Sequence, residues 1–263
     1  MKRDDSDFGL KNVGRNKRGQ LTIFIIIGII IVVGLLAIFL VDKDPSVRKP
    51  SAEDPSGFIE GCVEENVEEV IPDILEKGGV LDEPYSVRYQ GEDYTYLCYN
   101  GDFYGGCYNI HPMLEDIIEE EIVDETSIAV EECFEILREE IENKGFDVSS
   151  GTIEYSVDLL PGMIKINLKN KLEIKNSDGS RSFEDFGFEI TSPLYELVQV
   201  ARTIVNNQAQ YCYFEHGGYM LLYPRYDIRM WDYKGSKLYS LTDRPSGEEF
   251  RFAVRGCVGP PGI

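Results

Sequence analysis

The sequence predicts an α+β fold carried behind one membrane-spanning helix, and three observations predict it. An uncharged apolar run fills residues 21–41. Two acidic stretches between 56 and 145 repeat their apolar residues at helical spacing. After Gly145 the apolar residues alternate instead, as half-buried strands require.

The run Leu21–Val41 has Thr22 as its one polar side chain. About 20 such residues, rising 1.5 Å each, cross a hydrocarbon core. A buried helix of that length in a soluble protein rarely lacks a polar face. A cleaved secretory signal has a shorter apolar region and a small-x-small site, whereas this run ends in "VDKDP". Leu21–Val41 is therefore expected to stay with the protein and to hold it in the lipid bilayer. Ahead of it, Lys2, Arg3, Lys11, Arg15, Lys17 and Arg18 outnumber Asp4, Asp5 and Asp7. Basic flanks stay inside, so 1–20 reads as a cytoplasmic tail. The expected localisation is the cell membrane, single-pass, with the C-terminal part extracellular.

Residues 42–55 carry Pro45, Pro50 and Pro55 among polar side chains and read as an extended tether. In a filament subunit the apolar helix usually runs straight on into the head, so the tether speaks against one. Next come a helical and hairpin subdomain, 56–145, and an antiparallel α+β subdomain, 146–263. The first helix, from Ser56 to about Lys77, puts Ile59, Cys62, Val63, Val67, Val70, Ile71 and Ile74 on one stripe; Gly78-Gly79 stops it. The second, Pro112 to about Lys144, does so with Leu114, Ile117, Ile118, Ile122, Ala129, Cys133, Ile136, Leu137 and Ile141.

Strands are expected at "TIEYSVDL", "MIKINLKNKLEIK" and "FEDFGFEI", with "NSDGS" as a turn. Ser192-Pro193 opens a helix with Leu194, Leu197, Val198, Ala201, Ile204, Val205 and Gln208 on one face. Three further strands, Tyr226–Trp231, Lys237–Thr242 and Phe250–Arg255, complete a helix crossing between two meanders.

The chain carries a net charge of −21. Removing the tail's six basic and three acidic residues from 26 and 47 leaves 20 and 44 for the exterior, a net of −24. Such acidity excludes phosphate-backbone binding, so no nucleic acid is expected, and it disfavours anionic headgroups. Six cysteines in an oxidising exterior read as disulfides. Cys62 and Cys133 both lie on inward helical stripes and suit a helix-to-helix bridge. Cys98 and Cys107 bracket the turn-rich "YNGDFYGG", which leaves Cys212 for Cys257.

No H-E-x-x-H, G-x-S-x-G, P-loop or G-x-G-x-x-G is present, so the expectation is a non-catalytic protein without a cofactor. His111 and His216 each follow a cysteine by four residues. Cys107, His111, Cys212 and His216 thus form an alternative tetrahedral zinc set. The strongest recognition signal is "YSVRYQGEDYTYLCYNGDFYGGCYN". Tyrosine combines apolar area with a polar tip, and Tyr89, Tyr94, Tyr96, Tyr99 and Tyr104 are the candidates for binding envelope proteins or glycans. Lys165, Lys169, Lys171 and Lys175 form a second candidate, a basic strand face, unless they pair with the protein's own acidic helices.

Taken in order, "RGQLTIFIIIGI", "GCVEENVEEVIPDIL", "ECFEIL", "SPLYELVQVARTIV" and "YDIRMWDYKGSKLYSLTD" with "FRFAVRG" resemble a family of membrane-anchored surface proteins of small-genomed archaea. The resemblance covers most of the chain, implies an archaeal envelope location and supplies no activity. The start also resembles the class III signal of archaeal pilins, which implies cleavage after Gly19 and a new first residue at Gln20. Phe24 stands where bacterial type IV pilins carry a fifth-position Glu, a departure that speaks against filament assembly.

Overall fold

A computed structural model describes residue 31 and residues 50–259 apart from 83 and 178. The chain divides into two units, Met1–Val47 and Arg48–Ile263, and the second is described below. The expected span Leu21–Val41 (apart from Ile31), the basic tail and the Gly19–Gln20 site lie outside the described residues. Among the described residues no helix is long and apolar enough to cross a membrane.

The folded unit is α+β. Helix α1 spans Pro55–Glu76; strands β1, β2 and β3 are Ser86–Tyr89, Glu92–Tyr99 and Tyr108–Asn109. Helix α2 spans Leu114–Glu142. Strands β4 to β8 follow at Asp147–Ser150, Glu154–Leu160, Met163–Asn176, Gly179–Asp185 and Phe188–Thr191. Helices α3 and α4 are Leu194–Tyr211 and His216–Leu222, and β9, β10 and β11 are Tyr226–Tyr233, Ser236–Asp243 and Glu249–Arg255.

Helix α1 has a start of its own. The Asp54 carboxylate accepts from Gly57 N at 3.0 Å, and Pro55 occupies the first turn, where its missing N–H costs nothing. At the far end Gly79 has φ +90°, and a Cβ there would lie 2.8 Å from Ile118 Cδ1. Glycine is thus required both by the backbone and by the close approach of α2. Helices α1 and α2 pack as an antiparallel pair, with Gly79 against Leu114 and Ile118 at one end. The Cys62–Cys133 disulfide ties the other end, with Cα atoms 6.1 Å apart. The expected inward stripe of α2 holds at Leu114, Ile118, Ile122, Cys133, Leu137 and Ile141. Ile136 is exposed because Phe134 takes the inward place at that turn and packs edge-on against Phe186 at 5.2 Å.

Strand β6 is the axis of a five-stranded sheet. It pairs with β5 and β4 along one side and with β8 and β7 along the other. The single return strand expected at "FEDFGFEI" is broken where Phe186 turns into the core.

The second sheet is six-stranded, in the order β1-β2-β11-β10-β9, with β3 also on β2. The expected meander β9–β10–β11 is there, but its edge is extended by β2, parallel to β11. The sheet is therefore mixed. The pairing joins residues about 150 positions apart, which no local periodicity encodes.

Helix α3 buries every residue of its expected stripe. Buried Gln208 donates to the Tyr239 hydroxyl at 2.7 Å, and its amide oxygen accepts from Lys237 Nζ at 2.7 Å. The same ammonium donates to the Cys212 carbonyl at 2.6 Å, a cation at the helix C-terminus where the dipole favours one. Burial pushes the Tyr239 phenol up to about 12.

Candidate functional site

The Tyr-rich hairpin contains two different kinds of tyrosine. Along β2, Tyr94 and Tyr96 point to the face of the six-stranded sheet away from α1 and α3. There they meet Leu238 and Ala253 in a second, smaller core. They are only 3% and 8% exposed. Tyr89 closes over them from β1, 4.9 Å from Tyr233 and 6.0 Å from Trp231. Tyr99 is half-buried at the same cluster, 5.0 Å from Tyr96. The expectation that Tyr94 and Tyr96 present a binding surface is thus corrected. Strand alternation sends them inward, and desolvation raises the pKa of Tyr94 against the opposing charge of Arg251. Of the five candidates only Tyr104 stands out in solvent, at 69% exposure.

Tyr104 belongs to a different arrangement, in which three chain segments are tied together. The loop 100–107 is closed by Cys98–Cys107, and the end of α3 is joined to the tail by Cys212–Cys257. The Cα separations are 5.4 and 5.9 Å. The backbone then stitches loop to tail: Tyr104 N donates to Val258 O at 2.9 Å and Cys257 N to Gly105 O at 2.6 Å. Loop and helix touch at Gly106, where a Cβ would lie 2.7 Å from the Ala209 carbonyl. On this frame Phe103, Tyr104, Tyr108, Tyr211 and Tyr213 are all exposed, Tyr108 at 72%. Tyr104, Cys212 and Cys257 all have positive φ, near +60°. Such a backbone is unfavourable for side chains other than Gly, Asn or Asp and is held here by the surrounding ties.

Large apolar groups continue the cap at Ile110 and Met113, at the entrance to α2. Tyr213 donates its hydroxyl to Glu215, and that bond lowers the carboxyl's pKa. At the rim Arg255 donates to the Lys234 carbonyl, and the Lys234 ammonium sits 5.0 Å from the Tyr233 ring centroid. The arrangement offers apolar area with polar tips.

The cap and the start of the folded unit lie at opposite ends of α2. Lys144, just past its C-terminus, donates to the Pro50 carbonyl at 2.7 Å. Leu114, at its N-terminus, follows β3, which pairs with β2 at Cys98 and Tyr99. A helix of 29 residues separates the two ends, on the order of 40 Å.

The other sequence-derived sites fare differently. All six cysteines pair as expected, so Cys107 and Cys212 are not thiols and the zinc set with His111 and His216 is overturned. Among the described residues no group of three or more His, Cys, Asp or Glu could hold a metal ion. The lysine face of β6 is interleaved with acids. Lys165 lies opposite Asp158 and Glu189, Lys169 opposite Glu154 and Asp185, and Glu173 bridges Lys171 and Lys175 at 3.2 Å each. Phe103 and Tyr108 fall within the Tyr-rich stretch, but sequence reading missed Tyr211 and Tyr213 beside them. The available signal was "YCYF" beside a disulfide, although the segment was silent about its neighbours.

No family model matches the chain, and no match is found among curated proteins or solved structures.

Proposed function

We propose that the protein is a single-pass, membrane-anchored extracytoplasmic binding protein of the archaeal envelope, without catalytic activity, whose aromatic cap engages another envelope protein. The observation that carries the reading is the placement of exposed rings at the end of the folded unit remote from Pro50. Exposed tyrosines next to Met113 and Ile110 suit the apolar centre of a protein interface. A glycan would use the rings and leave the aliphatic groups uncovered. The independent start of α1 at Asp54 and Pro55 favours a tethered head over a filament subunit.

Two measurements test this. Protease added to intact cells should digest the folded unit, and full protection would reverse the topology. Crosslinked capture from native envelopes by the full chain should yield a protein partner that is lost on combined Tyr104→Ser, Tyr108→Ser and Tyr211→Ser substitution. Undiminished capture would remove the cap from the reading, and recovery of glycan alone would replace the partner class. Mass spectrometry of the native N-terminus should find Leu21–Val41 retained, with Met1 or Gln20 first.

A further inference from the structure

We propose that the outer edge of β9 takes an extended strand from the protein that the cap engages, joined backbone to backbone. The proposal rests on the reading of the cap as a partner site and names the form of that partner's contact. Strand β9 ends the six-stranded sheet, with β10 on one side and no strand of the described residues on the other.

The two-residue turn Lys234-Gly235 fixes which way each backbone group of β9 points. Tyr233 and Ser236 flank it and form a hydrogen-bonded pair, so Tyr233, Trp231, Arg229 and Asp227 turn toward β10. Tyr226, Ile228, Met230 and Asp232 turn their N–H and carbonyl groups to the edge. Two of those donors are already used. Tyr226 N donates to Tyr223 O at 3.1 Å, and Ile228 N to Met220 Sδ of α4 at 3.1 Å. Met230 N and Asp232 N have no acceptor among the described residues. The second half of β9 thus presents donors and acceptors at two-residue spacing, the repeat of another extended backbone.

Side chains on both faces of this edge are incompletely covered. Met230 is half-buried against the main core, and Trp231 and Tyr233 against the second one. On α4, Leu221 and Leu222 stand 85% and 76% exposed. A strand with apolar side chains at alternate positions, laid along the edge, would extend the cover on both faces. The five-stranded sheet differs at its margins. Glu119 of α2 accepts from Leu159 N of β5 at 2.7 Å, and β7 shows exposed polar side chains at Ser180, Arg181 and Ser182.

The open half of β9 is continuous with the cap. Lys237 lies opposite Asp232 in register, and its ammonium donates to the Cys212 carbonyl at 2.6 Å. Cys212 stands between the exposed rings of Tyr211 and Tyr213. A partner seated on those rings adjoins the free backbone groups, and pairing there would fix its orientation.

The test uses the full chain in lipid nanodiscs and the peptide acetyl-Lys-Val-Tyr-Val-Tyr-Lys-amide. A second peptide is N-methylated at the four central residues, which keeps every side chain and removes the donors a ladder needs. Hydrogen exchange read at single amides should be fast at Met230 and Asp232 in the chain alone, and slow at Trp231 and Tyr233. The first peptide should slow Met230 and Asp232 about tenfold or more, and the N-methylated one should not. Asp232→Pro should weaken the first peptide about tenfold at an unchanged thermal midpoint, since the N–H it removes faces away from β10. Equal protection by both peptides would overturn backbone pairing. Protection confined to another edge, or none at millimolar peptide, would overturn the assignment to β9. Protection at Met230 and Asp232 that grows with protein concentration in the chain alone would give the edge to a second copy and overturn the partner strand. Failed protection removes the β9 edge alone, whereas capture that survives the ring substitutions removes the cap reading.

Discussion

The hydroxyl of Tyr96 lies 2.7 Å from Ser236 Oγ, with both side chains out of solvent and 140 residues apart in the chain. This bond joins the front hairpin to the start of β10, and it fixes Tyr96 as a structural residue. Removing one partner leaves a buried hydroxyl unsatisfied, which costs about 1–3 kcal/mol. Tyr96→Phe should lower stability by that amount in a denaturant titration and leave partner capture unchanged.

Tyr104 should behave in the opposite way. Its φ of +64° already disfavours a side chain, and its ring contributes little to the core. Tyr104→Gly is expected to change stability by less than about 1 kcal/mol while reducing capture by the cap. A large stability loss with intact capture would exchange the roles of the two tyrosines.

The three disulfides close loops of different length, with separations of 71, 45 and 9 residues. Chain-entropy arguments give about 4 kcal/mol for the two longer loops and about 3 kcal/mol for the shortest. Paired Cys→Ala variants should follow that order in denaturation midpoint, Cys62–Cys133 first. Cys98–Cys107 should add a local signature, since its loss frees the loop that carries Tyr104.

Stability should peak in mild acid. Burial raises the carboxyls of Glu119 and Glu121 above their ordinary 4.5, although Leu159 N and Leu81 N donate to them. A raised carboxyl binds its proton more tightly in the folded chain, so stability falls as pH rises from 4.5 through the folded value. Asp243 runs the other way. Burial alone would raise it, but the Arg225 guanidinium and the Ser246 N–H and hydroxyl hold it below 3.8. Its contribution is present above 3.8 and is lost as pH falls through the folded value. Thermal midpoints should therefore be highest between pH 3.8 and 4.5 and decline on both sides. Glu119→Gln with Glu121→Gln should flatten the alkaline limb, and Asp243→Asn the acid one.

Thr126 replaces an aliphatic residue on the inward stripe of α2, and its hydroxyl meets that of Tyr155 at 2.8 Å. Tyr155→Phe should cost about 1 kcal/mol or more, and Thr126→Val combined with it should recover most of that loss. A non-additive double-mutant cycle checks the coupling.

What the sequence determined by itself is what local chemistry writes at short range. Periodicity placed α1, α2 and α3, the strands β5 and β6 and the meander β9–β10–β11, because burying one face imposes a repeat of 3.6 or 2, and it ran β7 and β8 together as one strand. Two inward cysteines and one bracketed loop were enough to pair all six. Tertiary structure alone decided which tyrosines are seen. Tyr94 and Tyr104 lie ten residues apart in one Tyr-rich stretch, yet one is core and the other cap. The difference comes from partners far along the chain: Trp231 and Leu238 cover the first, and Val258 holds the backbone of the second in place. The parallel β2–β11 pair has the same origin. It depends on chain segments meeting after long excursions, and a local hydrophobic pattern carries no record of which segments meet.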